Sequence, residues 1–314
     1  MENKIQIAKN NGNKLYDIFL EPTSLSVLEG RELKWRGSKK ASLELLSLKP
    51  KDPSDLIQVF GLNADMFKGK FVQAIYGGGY EWQEIRTLHS SSLLSLLCFY
   101  NVSALNPLES IIDSKPIRFT ESLFEIQNPI PQSDRPSNVD VVLIGRNMVS
   151  GRKTTLYLES KFSEYLTHGE KDKISTPVYR EIYHKLKDTL DIIHVTFDEY
   201  SEKYSRLIYQ NKHCSHYLEG IKQIVSHYLG VQTVATEERA KDEDIYLGEI
   251  LYMFPESIDR NSQKYRDYTS TYEVLAKGLN RHSKPFKVLD SCLSYQSFFH
   301  NYQLDDSVRK FYSL

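Results

Sequence analysis

Cysteine is scarce in this 314-residue chain: Cys98, Cys214 and Cys292 are the only three. They are scattered and odd in number, which argues against a disulfide framework and points to a reducing compartment. Charge of one sign is not in excess either. Lys and Arg total 40 against 41 Asp and Glu, a formal net charge of −1. That balance argues against broad, charge-driven nucleic-acid binding and leaves room for a local basic groove. Long apolar runs are missing too. The longest, Leu93 to Tyr100, is far short of the roughly 20 residues that span a bilayer. The opening segment MENKIQIAKNNGNK lacks the apolar centre of a signal peptide. A cytoplasmic protein with no membrane partner is expected. Internal repeats and low-complexity tracts are absent.

What is present is an ordinary globular composition: 40% hydrophobic, 12% aromatic and 26% charged residues. The length suits one large domain or two modest ones. Residues 1–80 read as a mixed region, with strand-like pieces such as Lys14–Leu20 and basic loops such as Lys34–Lys40. The three glycines Gly77–Gly79 break the chain. A buried helix is expected from about Glu81 to Tyr100. Ile117–Ile126 reads as a strand, and a loop rich in Pro, Ser and Asn follows from Asn128 to Asn138. Val139–Ile144 and Thr154–Lys161 read as the two strands of a hairpin, joined by a turn over residues 145–153. From Tyr217 to Leu229 the apolar spacing is that of a helix. Thr236–Asp244 reads as a charged loop, Ile245–Phe254 as a strand closed by Pro255, and Gln263–Leu279 as an amphipathic helix. Phe286–Leu289 reads as a last short strand. The expected fold is α/β (α+β), a mixed β-sheet flanked by helices.

The sharpest signal is Asp140 on one strand and Glu159-Ser160-Lys161 on the next. Residues two apart on a strand share a face, so Glu159 and Lys161 sit together while Leu156 and Leu158 face the opposite layer. Asp140 begins its strand beside the end of the next, which would bring its carboxylate near Glu159. Two carboxylates and the Ser160 backbone carbonyl are hard oxygen donors suited to Mg²⁺, or Mn²⁺ in its place. Such an ion acidifies a bound water and neutralises phosphate charge. A lysine beside that water can orient it or take its proton. The chemistry this trio suits is phosphodiester hydrolysis.

Asp140 with Glu159-Ser160-Lys161, at the ends of adjacent strands, resembles the bipartite signature of the PD-(D/E)XK nuclease superfamily. That group includes type II restriction endonucleases and many repair and phage-defence nucleases. The resemblance implies a restriction-endonuclease-like core, ordered helix, three strands, helix, strand, over residues 81–314. Residues 1–80 would then be an N-terminal elaboration packed on it. It implies a Mg²⁺-dependent DNA endonuclease with Asp140 and Glu159 as metal ligands and Lys161 acting on the water. It also implies an upstream acid, for which Glu125 is preferred over Glu84, and a polar residue from the following helix. Among Glu219, Lys222 and Gln223, the choice is Gln223. A homodimer is implied by analogy. Val139 stands where the signature often has proline. Two other classes stay open: a non-catalytic nucleic-acid-binding or interaction module that keeps the fold, and a repair or RNA-directed nuclease.

Weaker signals read more plainly. Gly77–Gly79 lacks the pattern of a phosphate loop and suits a hinge. His213, Cys214, His216 and His227 are an incomplete zinc set and read as surface or capping residues. His89-Ser90-Ser91-Ser92 has no nucleophile-elbow pattern. Arg146, Arg152 and Lys153 could touch phosphates next to the site. Lys34, Trp35, Arg36, Lys39 and Lys40 form a basic-aromatic patch that is either a nucleic-acid contact or a solvated loop. The 21 tyrosines read as core or interface.

Overall fold

The computed structural model describes residues 27, 33–36, 42–45, 52–77, 85, 88, 90–130, 136–162, 173–174, 183–184, 187–192, 195–199, 205–211, 214–216, 219–253, 263–281 and 285–314. Two short strands, β1 (Leu33–Arg36) and β2 (Ser42–Leu45), form an antiparallel pair. Lys34, Trp35 and Arg36 therefore belong to a strand and not to a basic loop. The strand-like piece at Lys14–Leu20 lies outside the described residues.

Two helices follow that the sequence reading missed, α1 (Ser54–Phe60) and α2 (Ala64–Gly77). Their stripes Leu56, Val59, Phe60 and Phe67, Phe71, Ala74 are buried. They join the same apolar cluster as α3 (Ser91–Phe99), with Leu93, Leu96, Leu97 and Phe99. Of the helix expected from Glu81 to Tyr100, the described residues show Ile85 as helical and α3 over Ser91–Phe99. Ser90 caps it, its hydroxyl accepting from the Leu93 amide at 3.0 Å, which is the ordinary work of a serine before a helix. Of the glycine run, Gly78 and Gly79 lie outside the described residues.

The main sheet is built from β3 (Leu108–Ile112), β4 (Lys115–Asn128), β5 (Ser137–Asn147) and β6 (Lys153–Lys161), each antiparallel to the one before. A smaller sheet carries β7 (Lys173–Ile174), β8 (Val195–Glu199), β9 (Ser205–Asn211) and β10 (Cys214–His216), with α4 (Lys187–Ile192) between β7 and β8. The chain then forms α5 (Glu219–Val234), α6 (Glu237–Asp242) and β11 (Glu243–Leu251), which returns parallel to β6. After α7 (Gln263–Asn280) come β12 (Lys287–Val288), β13 (Leu293–Ser294), α8 (Tyr295–Phe298) and α9 (Asp306–Tyr312). Both short strands run parallel to β11. The sheet is mixed, and its longest path runs β12-β11-β6-β5-β4-β3.

Strand alternation explains the layers. Val141, Leu143, Leu156 and Leu158 face α3, α8 and α9 in one core, while Val142, Tyr157, Ile245 and Leu247 face α5 and α7 in a second. The segment expected as a charged loop contains α6, whose first turn is capped by the Thr236 hydroxyl accepting from the Arg239 amide at 3.2 Å. Thr followed by two acids is a helix start in its own right. Arg239 then clasps Glu243 with contacts of 2.7 and 3.0 Å, fixing the entrance to β11.

One irregularity shapes the end of the sheet. In β4 and β5 the alternation reverses at Glu125 and Asp140. Phe124 and Val141 face the first core, but Ile126 and Val139, two residues away on each strand, face the second. The register Phe124↔Val141 and Ile126↔Val139 sets Glu125 and Asp140 opposite one another. Glu125 adopts φ of 50°, in the left-handed region. For a non-glycine residue that costs roughly 1–2 kcal/mol. At the other end, Gly145 passes so close to β4 that a Cβ there would lie 2.2 Å from the Arg118 carbonyl oxygen.

Candidate functional site

The ladder between β5 and β6 ends at the pair Val141↔Leu158. One residue further on each strand stand Asp140 and Glu159. Here the Asp140 side chain replaces backbone pairing: its Oδ2 accepts the Ser160 amide at 2.7 Å. In an antiparallel pair a residue's N–H and C=O share one side of the strand. The Ser160 carbonyl therefore faces the same side as Asp140. The Ser160 side chain turns to the opposite layer, with its Oγ 2.7 Å from the Tyr295 hydroxyl and donating to the Ser91 carbonyl at 3.2 Å. Those contacts lock the middle of the Glu-Ser-Lys triplet and leave its outer members on the α5 face.

Glu159 and Lys161 are 3% and 4% exposed, and Lys161 Nζ donates to Glu159 Oε1 at 2.7 Å. Helix α5 closes over them. Gln223 joins the pair from both ends. Its Nε2 donates to Glu159 Oε1 at 2.9 Å and its Oε1 accepts from Lys161 at 2.5 Å. One turn on, on the same helix face, His227 sets its Nε2 2.8 Å from Glu159 Oε2. That is ion-pair distance without the alignment of a hydrogen bond. The His227 Nδ1 shares a 2.5 Å hydrogen bond with the buried Ser137 hydroxyl. Burial alone would raise the Glu159 carboxyl, but the charges of Lys161 and then His227 outweigh it and hold it well below the ordinary value of 4.5.

A further buried acid lies one strand over. Glu249 pairs in register with Glu159 across β6 and β11 and is 1% exposed. Its Oε2 accepts from the Tyr268 hydroxyl of α7 at 2.6 Å. Burial pushes its carboxyl up to about 7; Lys161 and the Tyr268 hydrogen bond oppose that shift, and the neighbouring Glu159 charge adds to it.

Of the residues singled out from sequence, Asp140, Glu159, Ser160, Lys161 and Gln223 meet at this strand end. Glu125, buried, lies opposite Asp140 on β4. Glu84 lies outside the described residues, as do the side chains of Glu219 and Lys222. Two expectations need correction. His227 is neither a surface nor a capping residue but the buried neighbour of Glu159, because its position one turn from Gln223 points it at the sheet. Arg146, Arg152 and Lys153 stand beside the β5–β6 turn, at the far end of the hairpin. Six residues of strand separate Asp140 from Arg146, roughly 20 Å, so these bases do not lie next to this site. Arg152 instead pairs with Asp244 at 3.1 Å and Lys153 lies 3.5 Å from Glu243. Glu249 is not among the residues singled out, although a lone acid in the apolar run Ile245–Met253 is a signal that a buried partner exists.

Among the described residues no three His, Cys, Asp or Glu side chains are arranged to hold a metal ion. The donors at hand nevertheless suit Mg²⁺, which takes one or two carboxylates and fills the rest with water and phosphate oxygens. Asp140 and Gln223 are the partly exposed members, so the cluster meets solvent on their side. No family model, curated protein or solved structure matches this chain. None of the described helices is long and apolar enough to cross a membrane.

Proposed function

We propose that the chain is a metal-dependent nuclease of the PD-(D/E)XK type, acting on DNA. The observation that carries this reading is the meeting of Asp140, Glu159 and Lys161 where the β5–β6 ladder ends, with Gln223 bonded to the last two. The element order α3, β4–β6, α5, β11 supports it: with β3 added before β4, β7–β10 and α4 inserted before α5, and α6 before β11, it follows the order the resemblance implies. Asp140, Glu159 and the Ser160 carbonyl would hold the Mg²⁺, with Glu125 next in the row. The bound ion would supply an acidified water and charge neutralisation on the scissile phosphate. Lys161 would orient that water or take its proton, and Gln223 would keep the ammonium aimed.

A second reading has its own observation. Glu159 and Lys161 are buried and mutually paired, as in a structural ion pair of a non-catalytic module. Supercoiled plasmid and linear DNA, incubated with Mg²⁺ or with EDTA, separate the two. Wild-type protein is expected to cut with Mg²⁺ alone, and Asp140→Asn to lose cutting while keeping its thermal transition. Discrete fragments mean an endonuclease with sequence preference, and laddering from linear ends alone means an exonuclease. Binding in a mobility-shift assay with no cleavage of either DNA leaves the non-catalytic module standing.

A further inference from the structure

Glu249 has no part in the reading just given, yet its position is hard to explain as packing. A carboxylate buried in a β-strand is costly without full hydrogen bonding. Tyr268 satisfies Oε2, while Oε1 is buried with no hydrogen-bond partner among the described residues. The register gives that oxygen a neighbour. Glu249 is paired with Glu159, and Leu251 with Lys161, so Glu249 and Lys161 are diagonal neighbours on one sheet face. A lysine reaches across such a diagonal easily. The two side chains attract each other electrostatically across it.

We propose that Glu249 is a positioning residue that receives the Lys161 ammonium when a divalent cation takes Glu159. The inference rests on the metal reading above. A cation on Glu159 competes with Lys161 for the same oxygen and repels its charge. An ammonium only 4% exposed has little water to turn to. Gln223 would still accept from it, but a buried ammonium that has lost the Glu159 counter-charge is strongly unfavourable and would weaken the cation's hold. Glu249, with an oxygen to spare and Tyr268 fixing the other, keeps Lys161 neutralised and still beside the site. One carboxylate replaces another as the partner of the same ammonium, and any proton held on Glu249 passes to solvent as the ammonium arrives.

Calcium or manganese, titrated calorimetrically into the full chain without DNA, tests this apart from activity. Glu249→Gln should weaken calcium binding about tenfold, and Tyr268→Phe should weaken it less. In a Lys161→Met background, Glu249→Gln should no longer matter, since there is no ammonium to receive. Unchanged calcium affinity in Glu249→Gln, with wild-type binding intact, overturns the proposal and leaves the metal reading standing. So does an equal loss with and without Lys161, which would mean a role in folding only. If Glu249→Gln does not fold, Tyr268→Phe with and without Lys161→Met gives the same comparison. No binding of either ion by the wild-type protein removes the metal reading and this proposal together.

Discussion

Replacing Lys161 with methionine should lower Mg²⁺-dependent DNA cleavage by about a thousandfold, the usual scale for losing a group that moves a proton or stabilises developing charge. Calcium affinity should be kept or improved. The ammonium now bonded to Glu159 at 2.7 Å is a competitor for any cation there, and methionine fills similar volume without charge. This pattern separates Lys161 from the ligands, since Asp140→Asn should lose ion and activity together. Cleavage and calcium titration of both variants, run below their thermal transitions, make the comparison. A Lys161→Met protein that cuts at the wild-type rate would remove Lys161 from the mechanism.

Glu159→Ala should cost about 3–5 kcal/mol of stability, the range for removing one partner of a buried ion pair. Lys161 and His227 would both lose the carboxylate they surround. The double change Glu159→Leu/Lys161→Met should cost much less than the two single changes summed, because no charge is then left buried alone. The pH dependence has a definite sign. The folded-state carboxyl of Glu159 is depressed below its ordinary 4.5. Its contribution is therefore fully present above that value and is lost as pH falls toward the folded one. Wild-type stability in denaturant should drop between about pH 5 and pH 3. In Lys161→Met the chief source of the depression is gone and burial dominates, so stability over the same interval should stay flat or rise. A wild-type profile that is flat there would mean that the Glu159 carboxyl is not depressed in the folded protein.

The parts of this site that were legible in the sequence are those governed by local geometry. Period-two alternation alone puts Glu159 and Lys161 on one face and Leu156 and Leu158 on the other. A turn between two β-branched runs brings Asp140 back beside Glu159. Gln223 was reachable because a helix with a clear apolar stripe also has a defined polar side. What stayed hidden depends on contacts between distant segments. How α5 is rotated over the sheet decides that His227 faces Glu159, and the stripe Ile224, Val225, Tyr228 does not fix that rotation by itself. The register of β11 against β6 aligns Glu249 with Glu159, and parallel strands joined through a long crossover carry no turn to set register. Helices α1 and α2 are short or interrupted, with Gly69 inside the second, so their stripes were read as part of a mixed region. The misplaced basic residues are a different kind of error. In any hairpin the turn lies opposite the open end, so Arg146 and Arg152 could have been excluded from topology alone.

Asp140 also stands in for backbone pairing that β5 no longer supplies to β6. By accepting the Ser160 amide it completes a ladder that the backbone of β5 abandons one residue earlier. An ion drawn to that carboxylate has to share it with the amide or take it away. Site occupancy and fraying of the hairpin end are therefore two faces of a single equilibrium, and the Ser160 amide proton becomes a built-in gauge. Its exchange with solvent deuterium should quicken when calcium is added, while amides near the Gly145 end of the same hairpin keep their pace.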